Sequence, residues 1–201
     1  MKIIFFGDSI TDAARDRSDP AALGDGYVKI AADKLRLLYP ETGFEILNRG
    51  CGGEKTKELL ARIEKDVIAE DPDVVVLEVG INDVWHRFLG GEVVTAEEFR
   101  KNYEKLVKLL KGTHAKIILL QPYALRVGDK QRFRPYVDAF NTIIQEIAVR
   151  ENLPVIPLDE IFRGVTQDID PALFAADGVH PTHRGCRYIA DLVIKELKKY
   201  L

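Results

Sequence analysis

The chain has two cysteines, Cys51 and Cys186, one tryptophan and one methionine among 201 residues. Two cysteines cannot build a disulfide framework, and no CxxC pair suggests a metal site. No stretch approaches the roughly 18 consecutive apolar residues of a membrane span, so no membrane partner is expected. The apolar start breaks off at Gly7-Asp8, too early for a signal-peptide core, and no small-residue cleavage site follows. The chain therefore reads as cytoplasmic. Charge of one sign is also lacking: 29 Lys and Arg stand against 32 Asp and Glu, with a net charge of -3. A pI near 5.9 leaves no basic footprint for nucleic acid. There is no internal repeat, no Ser/Gly linker and no collagen-like period.

What is present is an ordinary folded composition, 46% hydrophobic and 30% charged. The length suits one domain over residues 1–201 with a sizeable core. Five short apolar runs read as strands: Lys2–Phe6, Phe44–Leu47, Val74–Val79, Lys116–Leu120 and Pro154–Pro157. Val74–Leu77 and Ile117–Leu120 are nearly continuous, as strands buried on both faces are. Helical spacing fills the intervals over Tyr27–Tyr39, Lys55–Ala69, Ala96–Leu110, Tyr136–Val149 and His183–Leu197. Thr95 with Glu98 predicts a capping box for the third of these, and Gly112 predicts its end. Strands alternating with helices imply an α/β, doubly wound fold with a parallel sheet covered on both faces.

Ligands of such sheets bind beyond the carboxyl ends of the strands. Four notable segments are expected there. Gly7-Asp8-Ser9-Ile10 follows the first strand; a serine at that bend exposes its hydroxyl, and its N–H faces a developing oxyanion. The same tetrapeptide also reads as a plain turn with a helix cap. Asn48-Arg49-Gly50-Cys51-Gly52-Gly53 reads as a loop after the second strand, where Gly50, Gly52 or Gly53 can offer a backbone N–H. Gly80-Ile81-Asn82-Asp83 follows the third, and the Asn82 amide is a neutral, orientable donor. Asp177-Gly178-Val179-His180 is expected after the fifth, where an aspartate three residues before a histidine can turn back to its Nδ1. It too reads as a simple turn. His183 is a second candidate base, better suited to opening a helix.

Rival motifs fail. Glu54 stands where a phosphate loop needs glycine before Lys55, Lys55 breaks any GxGxxG, and neither GxSxG nor HExxH occurs. Asp177, His180 and His183 lack a clear fourth metal ligand.

The four segments, in this order and at these separations, resemble the SGNH hydrolases, or GDSL esterase/lipase family, over residues 3–192. The resemblance implies a three-layer α/β/α sandwich with a five-stranded parallel sheet, flavodoxin-like in topology. It implies Ser9 as nucleophile, His180 as base and Asp177 as the residue orienting His180. The Ser9 N–H, the Asn82 side chain and a glycine of the second segment would form the oxyanion hole. The family places that glycine five residues after the Asn, at Gly53. Such a mechanism requires no metal and no cofactor.

Gly7–Asp12 with Arg15 or Arg17, Leu23–Val28 and Gly80–Trp85 together resemble bacterial acetylesterases acting on acetylated sugars and xylo-oligosaccharides. That branch implies an intracellular, oligomeric enzyme with a small-molecule acetylated saccharide as substrate. A thioesterase or lysophospholipase is the alternative, and a non-catalytic carbohydrate-binding module a weaker one. Asp8, Trp85 and Tyr123 are candidates for the substrate pocket, although Trp85 fits a core position equally well. Arg126–Arg134 reads as a solvated loop, or as a border of the site or an oligomer contact.

Overall fold

The five apolar runs form one parallel sheet in the computed structural model, which describes residues 1–201. Its strands are β1 (Lys2–Gly7), β2 (Glu45–Gly50), β3 (Val74–Glu78), β4 (Lys116–Leu120) and β5 (Val155–Ile156). They lie in the order β2-β1-β3-β4-β5, the flavodoxin-like arrangement. Every residue of β3 is buried, as its run of Val74-Val75-Val76-Leu77 predicts for the strand at the centre of the sheet.

Eight helices connect and cover the strands. They are α1 (Ser9–Asp12), α2 (Tyr27–Leu38), α3 (Thr56–Asp66), α4 (Ile81–Trp85), α5 (Ala96–Lys111), α6 (Arg134–Glu151), α7 (Leu158–Val165) and α8 (His183–Leu197). Helix α2 packs on α8, and α3, α5 and α6 pack in series. These two groups are the outer layers of the sandwich. One continuous apolar cluster fills the spaces between layers, from Ile3 in β1 to Leu197 in α8. The capping box at α5 forms as predicted: Thr95 Oγ1 accepts from the Glu98 N–H at 3.1 Å, and Glu98 Oε2 accepts from the Thr95 N–H at 2.9 Å.

Two boundaries differ from the sequence reading in ways that matter for the site. Strand β2 runs on through Asn48, Arg49 and Gly50, so these residues belong to the sheet and not to the loop. Asn48 tolerates its buried place because its amide is fully occupied: Nδ2 donates to Thr11 O at 2.7 Å and Leu23 O at 2.8 Å, and Oδ1 accepts from Gly50 N at 2.8 Å. Helix α7 intervenes between β5 and Asp177, so that segment does not follow the strand directly.

The parallel register sets Gly7 beside both Gly50 and Glu78. The three strands therefore end level, and the segments that leave them emerge along one edge. Gly7 must lack a side chain, because a Cβ there would collide with the Glu78 carbonyl and with Thr11.

Candidate active site

Ser9 begins α1, directly beyond β1, with the Asp8 side chain capping the helix by accepting from the Ile10 N–H at 3.0 Å. As the first helical residue, Ser9 has an N–H with no intrahelical partner. Its Oγ lies 3.0 Å from Nε2 of His180. His180 Nδ1 is 2.7 Å from Asp177 Oδ2. Asp177 Oδ1 meanwhile accepts the backbone N–H groups of Val179 at 2.9 Å and His180 at 2.7 Å. The aspartate is thus fixed by its own turn before it meets the ring. Partial burial pushes the Asp177 carboxyl up, but the bonds from the His180 ring and the two backbone N–H groups outweigh it and hold the carboxyl below its ordinary range. A carboxylate on Nδ1 keeps the proton there and leaves Nε2 as acceptor for a hydroxyl.

Further neutral donors lie near the same edge, and their partners differ. Gly50 N is taken by Asn48 Oδ1, and Gly52 N is taken by Asp12 Oδ2 at 3.0 Å. Gly53, exposed and with φ of +83°, makes no such bond through its N–H. Hydrogen-bond accounting therefore leaves Gly53 as the free donor among the three glycines. Asn82 Nδ2 donates one hydrogen to Glu54 O at 3.0 Å, which orients the amide and leaves its second hydrogen available.

The loop between Gly50 and α3 is fastened on both sides. Arg15 donates to Gly50 O from Nε at 3.2 Å and Nη2 at 3.1 Å. Arg17 pairs with Asp12, whose Oδ2 also holds Gly52. On the far side, buried Asp83 accepts from Thr56 Oγ1 at 2.6 Å and from Thr56 N. Asn82 and Asp83, consecutive in α4, thus grip Glu54 and Thr56. Burial pushes the Asp83 carboxyl up to about 7. The sequence marks Asn82 and Asp83 as part of a strand-end segment but does not reveal that they pair with Glu54 and Thr56.

Trp85 follows Asn82 on the same face of α4 and stands beside His180, with ring centroids 5.6 Å apart. Asp8 and Tyr123 do not line an open pocket. Both are fully buried. The Asp8 side chain is enclosed, with Oδ1 capping α1 at Ile10 and Oδ2 left without a hydrogen-bond partner. Burial raises both Asp8, to about 6, and Glu78, well above its ordinary range, and the nearby Asp8 charge adds to the rise at Glu78. Tyr123 packs on Phe162 at 4.8 Å between ring centroids, inside the core. His183 is exposed in the first turn of α8, outside the chain of bonds linking Ser9 to Asp177. The Arg126–Arg134 segment borders the site: Phe133 is buried and lies 5.8 Å from the Trp85 ring.

A serine, an imidazole and a carboxylate thus stand in series, with neutral donors near the strand ends of an α/β sandwich. The chain belongs to the GDSL-like lipase/acylhydrolase family, whose model matches residues 5–188. It is 33% identical over 204 residues to an acetylxylan esterase of Geobacillus stearothermophilus, covering 98% of this chain and 93% of that one. An arylesterase of Vibrio mimicus is 26% identical over 205 residues, with 100% and 90% covered. The crystal structure of the Geobacillus acetylxylan esterase superposes with a TM-score of 0.89, over 98% of this chain and 93% of its own. Variants of that enzyme described as catalytic mutants carry alanine for a serine, an aspartate and a histidine, the last two three positions apart. The protein is a carboxylic ester hydrolase.

Proposed function

We propose that residues 1–201 form one catalytic domain that removes short acyl groups, acetate foremost, from acetylated sugars or xylo-oligosaccharides through a Ser9-His180-Asp177 triad. The observation that carries this reading is the continuous series Ser9 Oγ to His180 Nε2 at 3.0 Å and His180 Nδ1 to Asp177 Oδ2 at 2.7 Å. Ser9 Oγ attacks the ester carbonyl while its proton passes to Nε2. The carbonyl oxygen becomes an oxyanion and takes hydrogen bonds from Ser9 N–H, Gly53 N–H and the free hydrogen of Asn82 Nδ2. His180 returns the proton to the departing alcohol, leaving an acyl-Ser9. Water then attacks the acyl carbon, giving one proton to His180, which returns it to Ser9 Oγ as the carboxylic acid leaves and ionises in solvent. Asp177 holds the ring and stabilises the imidazolium formed in each half.

The fixed donors contribute because they are already oriented when charge develops. The saccharide assignment is supported by likeness to the acetylxylan esterase, and the alcohol's place beside His180 is set by the proton transfer itself. Ser9→Ala is expected to lower kcat on 4-nitrophenyl acetate by on the order of 10⁴ or more with the fold intact. Near wild-type turnover in a folded variant would remove Ser9 from the chemistry. Acetate release from acetylated xylo-oligosaccharides, compared with longer-chain acyl esters, tests the substrate class.

A further inference from the structure

The proton returned by His180 must reach the oxygen of the leaving alcohol, so groups beside the imidazole contact the alcohol half of the ester. Trp85 is one such group, and Lys130 covers it. The Lys130 ammonium lies 4.7 Å from the Trp85 ring centroid and 5.4 Å from that of Phe133. Its stem runs along the turn that holds the histidine: a Cβ on Gly178 would stand 2.9 Å from Lys130 Cγ. The side chain is only 14% exposed, an unusual state for a lysine.

The ammonium has little to neutralise it. Its carboxylate partner is Asp129, at 3.2 Å, and Arg132 shares that same carboxylate at 3.3 Å. Arg132 in turn covers Phe88, 4.7 Å from its centroid. Across Ser9 the pattern repeats: a Cβ on Gly52 would be 3.7 Å from both Ser9 Cβ and Arg17 Nη2, and Arg17 and Arg15 share Asp12. On each flank of the site two cations therefore share a single directly bonded carboxylate, in a chain whose net charge is -3. Such local surplus draws anionic ligands and stabilises them where the cation is partly desolvated.

We infer that Lys130 is a specificity-determining residue that binds a carboxylate on the alcohol half of the substrate, so that esters of hydroxy acids, uronic acids included, are preferred over neutral ones. This rests on Ser9 and His180 acting as proposed above. The preference is read as the ratio of kcat/KM for 4-acetoxybenzoate to that for its methyl ester. Differences in phenol reactivity between the two probes cancel when variants are compared. The ratio is expected to fall about tenfold in Lys130→Gln, to return to within about threefold of wild type in Lys130→Arg, and to rise in Asp129→Asn, where the competing carboxylate is gone.

A purely structural role for Lys130, bracing Gly178 and Trp85, would depress both probes alike and leave the ratio unmoved. A ratio unchanged in both Lys130→Gln and Asp129→Asn, with the methyl ester still hydrolysed, overturns the inference alone. Failure of the wild-type protein to hydrolyse either probe overturns the triad on which it rests.

Discussion

Replacing Asp83 with asparagine isolates the cost of holding a carboxyl inside the clamp that fixes Glu54 and Thr56. Asp83 is fully buried, and its only side-chain partners are the Thr56 hydroxyl and N–H. Burial carries its carboxyl up to about 7, against ~3.9 in an unfolded chain. Between those values the folded protein holds a proton that the unfolded chain has released. The associated stability is complete below about pH 4 and is lost as pH rises to about 7. Integrated from about pH 5 to pH 8, the loss is on the order of 3 kcal/mol. The amide in Asp83→Asn cannot ionise, yet its Oδ1 still accepts from Thr56. The variant should therefore lose stability less steeply with rising pH than wild type, by that amount. Asp8 and Glu78, raised in the same direction, are present in both proteins and drop out of the comparison. Urea unfolding at both pH values measures the difference. Parallel pH dependence in the two proteins would refute the account of Asp83 as a buried carboxyl that stays protonated below neutral pH.

Two further substitutions probe the site. Asp177→Asn should lower kcat on the order of 10³–10⁴ in a folded protein, because an amide cannot hold the imidazole in the tautomer that leaves Nε2 as acceptor; a change under about twofold would make Asp177 a turn residue only. Asn82→Ala should lower kcat by roughly 10²–10³ with little change in KM, the signature of a donor used only by the oxyanion. A rise in KM with kcat preserved would assign Asn82 to ground-state binding instead.

The apolar runs make the strands legible, since burial on both faces demands an unbroken series such as Val74–Leu77. Helices α1 and α4 are not legible as helices, because they span four and five residues and show too little periodicity. They nevertheless position Ser9, Asn82 and Trp85. The chain order of Gly7–Ile10, Gly80–Asp83 and Asp177–His180 is enough to nominate Ser9, Asn82, Asp177 and His180. Choosing among Gly50, Gly52 and Gly53 needs the partners of each N–H, which local sequence does not reveal. Asp8 and Tyr123 are misplaced by sequence for the opposite reason: a strand-end position says nothing about whether a side chain turns to the crevice or to the core. Polar neighbours make Lys130 look like part of a solvated loop. Packing against Gly178 and Trp85, far away in sequence, decides its environment.

Covalent trapping tests the central claim most directly. Treated with a fluorophosphonate, the protein should gain one adduct mass, located on the peptide containing Ser9, and His180→Ala should label far more slowly. An unlabelled Ser9 in folded wild-type protein, or an adduct on another residue with esterase activity abolished, would contradict the assignment of Ser9 as the nucleophile.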